Sequence, residues 1–231
     1  MQINGGTLRG LAGALESAST YQSLKELKTF SEVADNIYDK DFYPIAEHMV
    51  FALPYGTERK RIIINSASQI EGNLEKILDV GVGSGVIFSK ILEMKQQAQG
   101  YGIDVSEKCV TYTKKVSQYF GIENRTHLSV QDIRRTAFKE EIFDIIVASE
   151  IIEHVPDPLN ALCEIYRILK VGGHLIIGVP IRLPITMHLY NFETIDHAIS
   201  LFRQSGLNLV EAHVYPLHSE AFDLTAKMVK L

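Results

Sequence analysis

Cysteine is scarce: the 231 residues include only Cys109 and Cys163, in separate segments with no CxxC pair. That excludes a disulfide framework and a cysteine-based zinc module, and it suits a reducing compartment. The eight histidines form no HExxH-type pair, so no metal is expected from spacing. No apolar run reaches the roughly 18 residues of a membrane span. The N-terminus lacks the charged, apolar and small-residue order of a signal peptide, and a cytoplasmic setting is expected. Net charge is -5, and no basic stripe of the kind that binds nucleic acid is present. The one dense basic run, Arg59-Lys60-Arg61, reads as a solvated helix face.

What remains is an ordinary globular composition, 46% hydrophobic and 22% charged, enough for a proper core. Residues 1–73 read as helical. Leu24, Leu27, Val33 and Ile37 recur at helical steps, Pro44 opens a second helix, Pro54-Tyr55-Gly56 punctuates, and a third helical piece covers 58–69. From residue 74 the texture changes to short β-like runs alternating with helical ones. The spacing predicts strands at 76–80, 99–104, 126–130, 143–148, 174–180, 208–215 and 223–229. It predicts helices at 85–97, 107–120, 158–169 and 194–205. Such alternation predicts an α/β fold: an open, mostly parallel sheet with helices on both faces. The short link between the last two strands allows one of them to run antiparallel. Asp157 reads as an N-cap before Pro158, and Gly172-Gly173 as that helix's end.

The stretch ILDVGVGSGVIFSKILE, residues 77–93, carries the most chemistry. Its glycines stand at Gly81, Gly83 and Gly85. A dinucleotide fingerprint would need glycine at position 86, which is Val86, and no Walker lysine follows. Asp79 sits at the strand's end, where ligands bind in open α/β sheets. A carboxylate there repels pyrophosphate and suits an ammonium, while the glycines let backbone approach a ligand closely. Asp104 ends the second strand, placed for ribose hydroxyls. Asp132, followed by Ile133, ends the third and suits an adenine amino group. The ligand is therefore nucleoside-like and cationic at the turn.

With these residues in place the chain resembles the class I S-adenosylmethionine-dependent methyltransferases, in particular the small-molecule branch of the ubiquinone and menaquinone biosynthesis methyltransferases. ILDVGVGSG, YGIDVS, VQDI, FDIIVASEIIEHVPDP and ILKVGGHLIIGVP carry the likeness, which covers about 74–215. The resemblance implies a Rossmann-like seven-stranded sheet with its last strand antiparallel. It implies S-adenosylmethionine as cofactor: methionine portion on Asp79, Gly81 and Gly83 in the turn closed by Gly85, ribose on Asp104, adenine against Val105, Asp132 and Ile133. Ser149 and Glu150 would line the pocket near the sulfonium. Residues 1–73 would form an N-terminal helical lid or a dimer contact, and 74–231 the catalytic domain, in a monomer or homodimer.

Methyl transfer needs an acceptor held in line with the S–CH3 bond and, for a hydroxyl or acidic carbon, loss of a proton. His154 is the candidate general base; it equally suits a role in pinning its loop. Glu153 would orient the imidazole or face solvent. Acceptor contacts are expected from Tyr38, Phe42, Tyr43, His48, Phe51 and Tyr55, and from Met187, His188 and Tyr190 after the fifth strand. The expected acceptor is a small molecule methylated on oxygen, nitrogen or carbon. A protein or peptide acceptor, a non-catalytic cofactor-binding subunit and a nicotinamide oxidoreductase are the alternatives. The failed glycine spacing and Asp79 weigh against the last. No NPPY or DPPY follows the fourth strand, and no Pro-Cys nucleophile is present.

Overall fold

The computed structural model describes residues 54–185, 188–217 and 220–231. Helix α1 (Pro54–Ser68) leads into strand β1 (Lys76–Val80). Helix α2 (Val86–Met94), β2 (Gln99–Asp104), α3 (Glu107–Tyr119), β3 (Thr126–Val130) and β4 (Phe143–Ser149) follow. After β4 come α4 (Pro158–Ile168), β5 (Leu169–Ile181), α5 (Ile195–Gln204), β6 (Asn208–Pro216) and β7 (Phe222–Val229). The seven strands form one sheet in the order β3-β2-β1-β4-β5-β7-β6. Strands β1 to β5 are parallel, and β7 runs antiparallel between β5 and β6. The expected seven-stranded, mostly parallel architecture is thus what forms.

Burial follows position in the sheet. Central β4 is buried at nearly every residue because helices cover both its faces. Edge strand β6 alternates exposed and half-buried residues. One core layer gathers Leu162, Ile165, Phe192 and Phe202 from the α4 and α5 side. The other gathers Ile63 and Ala67 of α1 with Phe88 and Leu92 of α2. Helix α1 is therefore part of the sheet's core, although the expected boundary at 73/74 set it apart. Of the expected lid or dimer segment, residues 1–73, the first 53 lie outside the described residues.

Local grammar explains the helix starts. Ser106 accepts from the Cys109 amide, Asp157 from Asn160 and Thr194 from His197, each as an N-cap. Two local readings change. Helix α4 ends at Ile168, and Gly172-Gly173 lies inside β5. Leu169 pairs with Phe143 and His174 with Ile145, so the residues between them bulge out of register. Gly172 takes φ 77° there, and its amide donates to the Lys230 carbonyl at 2.7 Å. Arg59, expected on a solvated face, is 5% exposed. It points into the protein and pairs with Asp223 and Glu150.

Candidate active site

The C-terminal ends of β1, β2, β3 and β4 open onto one cleft of about 540 Å³, mouth included. The β1 turn shapes its floor. Gly81, Gly83 and Gly85 all take left-handed backbone, with φ of 67°, 51° and 70°, where a side chain is disfavoured. Space adds to this at Gly81, where a Cβ would meet the Ile151 side chain unless that side chain shifted. The Gly81 and Val82 amides donate to the Ile103 carbonyl, and the Gly83 amide donates to Asp104 Oδ2 at 3.1 Å. Thr113 Oγ1 donates to the Gly83 carbonyl at 2.8 Å, tying the turn to α3.

The cleft is lined by Gly81, Asp104, Val105, Ile133, Glu150 and His154 among the expected residues. Val80, Ile103, Gln131 and Ile151 complete the lining; of these, reasoning from motifs had singled out none. Alternation along the strands was the available signal for Val80 and Ile103, which sit at or next to a strand end. Asp79 lies buried just before this lining. Burial, then the neighbouring Asp104 carboxylate, push its pKa well above the usual range. No described cation offsets that charge, so the site is built to gain a positive group. Asp104 accepts from the Ser106 amide through its other oxygen.

Asp132 is placed differently from Asp104. Its carboxylate is gripped by Arg134, with Nη2 at 2.6 Å from Oδ2, and it does not line the cleft. Gln131 does. Ser149 pairs with Gly178 within the sheet, set back from the cleft wall. Tyr38, Phe42, Tyr43, His48, Phe51 and Met187 lie outside the described residues. Tyr190 turns away to accept from or donate to His197 Nε2 at 2.9 Å.

Beyond β4 the chain enters left-handed backbone. Glu150 is a non-glycine residue at φ 56°, held by its amide's bond to the Gly178 carbonyl. Burial pushes the Glu150 carboxyl up to about 8, although Arg59 lies 3.2 Å from its Oε2. A single 3-10 turn, Ile152–His154, then brings Glu153 under the cleft, fully buried, with His154 at its wall. The segment after β5 folds back over this turn. The Tyr190 amide donates to the Glu153 carbonyl, and the His188 ring stands T-shaped against His154, centroids 5.2 Å apart. His188 Nδ1 donates to the Leu183 carbonyl at 2.7 Å. Burial, then neighbouring His154, lower its pKa to about 3, so the ring is neutral.

Residues 78–177 match the family model described as a methyltransferase domain. The ubiquinone biosynthesis O-methyltransferase of Aliivibrio fischeri (strain MJ11) is 30% identical over 155 residues, covering 65% of this chain and 60% of that protein. The chain thus spans about three fifths of the length of such curated relatives. Among solved structures, phosphoethanolamine N-methyltransferase 2 of Haemonchus contortus, in complex with S-adenosyl-L-methionine, superposes with a TM-score of 0.70. It is 16% identical, over 89% of this chain and 60% of that one. The cyclase SpnF gives 0.66 at 16% identity, over 78% and 84%. Residues 78–177 thus carry the methyltransferase-domain match, and the chain resembles the class I S-adenosylmethionine-dependent methyltransferases, the ubiquinone methyltransferases among them. Among the described residues no helix is long and apolar enough to cross a membrane.

Proposed function

We propose that this chain methylates a hydroxyl of a small, partly apolar acceptor of the quinone-precursor kind. The observation that carries the reading is Asp79: a buried carboxylate with no described cation, beside a glycine turn that leaves room for a ligand. S-adenosylmethionine supplies an activated methyl on a sulfonium and an ammonium to match Asp79. Asp104 takes the ribose hydroxyls, Val105 and Ile133 flank the adenine, and Gly81 lets the methionyl portion lie against backbone. Asp132 reaches the adenine amino group only by releasing Arg134. The apolar walls, Val80, Ile103 and Ile151 among them, exclude water from the reacting centre. His154 is the group placed to assist loss of the acceptor's proton. The oxygen acceptor is favoured by the name of the curated relatives and by this histidine at the cleft wall. Fold alone does not fix the reaction, as the cyclase neighbour illustrates.

Calorimetric titration with S-adenosylmethionine, S-adenosylhomocysteine and NAD tests the cofactor reading. Binding of the first two at about micromolar Kd, and none of NAD, is expected; no binding of any by folded protein would end the enzyme reading. His154→Ala should keep cofactor affinity and lose roughly 10²- to 10⁴-fold in turnover. Near-normal turnover would remove His154 from the mechanism.

A further inference from the structure

Thr113 does not line the cleft, yet it reaches the glycine turn from behind. It is fully buried on α3, and its Oγ1 donates to the Gly83 carbonyl at 2.8 Å. On the other side of the same residue, the Gly83 amide donates to Asp104 Oδ2 at 3.1 Å. Asp104 Oδ1 accepts from the Ser106 amide at 2.9 Å. Ser106 in turn caps α3 by accepting from the Cys109 amide, and one helical turn further on stands Thr113. These four bonds close a ring through the β1 turn, the end of β2 and the start of α3.

The ring acts on the residue that most needs holding. Gly83 takes φ 51°, and without a Cβ its flanking peptides turn easily unless something fixes them. The bond to Asp104 fixes the peptide before Gly83; the bond from Thr113 fixes the peptide after it. The first of these bonds also orients the Asp104 carboxylate, so any swing of Gly83 is felt there. Gly85 makes room for the arrangement: the Thr113 side chain fills the space that a Cβ on Gly85 would need.

We propose that Thr113 is a positioning residue that couples the two halves of the cofactor site. Through Gly83 it holds the glycine turn, which takes the methionyl portion, and Asp104, which takes the ribose. The proposal rests on the S-adenosylmethionine reading of the cleft. A residue that merely propped up the turn would bear on the methionyl half alone. A member of the ring bears on the ribose half too, from a position behind both. The role belongs to the hydroxyl. Serine keeps that donor and loses the methyl; valine keeps the shape and leaves the Gly83 carbonyl without the Thr113 donor.

The test is a double-mutant cycle on the full chain, read by calorimetric titration with S-adenosylhomocysteine. Thr113→Val should weaken binding by about 10-fold, and Thr113→Ser should stay within about twofold of wild type. In the Asp104→Ala background, Thr113→Val should weaken binding less, by about threefold or more, because the bond that couples the halves is already gone. Urea unfolding of the same proteins separates this from damage to the fold. Serine loses packing and valine loses a hydrogen bond, so both lower the midpoint. Affinity should follow the hydroxyl and not the midpoint. An equal effect of Thr113→Val with and without Asp104 overturns the coupling. Affinity that falls alike in the serine and valine variants reduces Thr113 to packing and overturns it as well. A folded wild type that does not bind S-adenosylhomocysteine ends the cofactor reading itself, a failure distinct from either of these.

Discussion

The two edges of the sheet treat charge in opposite ways. At the edge where the parallel strands begin, cations meet their acceptors. Arg125 donates to the Leu92, Lys95 and Ala98 carbonyls at the end of α2. Lys95 Nζ donates to the Ser68 and Ile70 carbonyls, closing the end of α1. Asp144 accepts from the Glu75 and Lys76 amides and from Lys170 Nζ, and these bonds hold its carboxyl below the usual range although burial opposes them. Lys230 Nζ donates to the Tyr166 and Leu169 carbonyls. At the opposite edge the charges are left incomplete. Every buried carboxylate oxygen without a partner among the described residues belongs there, to Glu150, Glu153 or Asp223. One edge is finished by the chain itself; on the proposed reading the other is completed by a ligand. Stability and function have been separated along the strand axis, as open α/β sheets permit.

The sharpest way to break this contrast is to remove the buried cation of the functional edge, Arg59. Arg59→Met leaves Asp223 fully buried without its guanidinium and Glu150 without its neighbour. A loss of about 3–5 kcal/mol in urea unfolding is expected, the range for orphaning a buried charge. A loss below about 1 kcal/mol would mean that the pair behaves as a surface pair.

Gly81→Ala probes the turn with a single methyl group. Left-handed backbone and the encounter with Ile151 together should cost about 2–4 kcal/mol, read as weakened S-adenosylmethionine binding or lowered stability. Adding Ile151→Ala removes the encounter and should recover part of it, leaving the backbone strain. No recovery in the double variant would show that Ile151 is not what crowds the turn.

At the other edge Arg125→Ala should cost about 1–3 kcal/mol in stability, since three carbonyls lose a charged donor. Cofactor affinity should stay within about twofold, because additivity holds for distant sites. A matching fall in affinity would refute the separation of the two edges.

The smallest effect is the most diagnostic of sign. Asp79's pKa is raised in the folded protein, so the native state binds more protons there than the unfolded chain. Stability is lost as pH rises from the ordinary carboxylate range through the raised value. Asp79→Asn removes that loss and should stabilise the free protein by about 1 kcal/mol near neutrality. The same change should weaken cofactor binding and flatten its rise with pH. In the wild type an ammonium favours the ionised carboxylate, so binding releases a proton, measurable by calorimetry in buffers of different ionisation enthalpy. Equal proton release by wild type and variant would exclude Asp79 as its source.

Much of this was legible in the residues alone. The β1 to β3 boundaries follow from short apolar runs between glycine turns, and helix α4 from Asp157 and Pro158 at its start. The strand-end acids and the alternating glycines pointed to the cleft because both signals are local, carried by a few neighbouring residues. Arg59 was misread for a related reason. Its neighbours Lys60 and Arg61 are charged, and nothing in a basic run says which member faces inward. Gly172-Gly173 was read as a helix end because a bulge and a C-cap ask for the same left-handed residue.

The succession of strands and helices along the chain and the cleft at the strand ends were therefore legible in the chain's own periodicity, glycine placement and strand-end charge. Only tertiary structure decided that Asp132 would give its carboxylate to Arg134 and that Arg59 would turn toward Asp223, 164 residues away. It alone brought His188 against Glu153 and His154. Glu153 and His154 are neighbours in sequence, but His188 arrives across β5 on a segment joined to the 3-10 turn by the Tyr190 amide's bond to the Glu153 carbonyl. Such a cluster has no spacing to recognise, because its members share a place only after the sheet has formed.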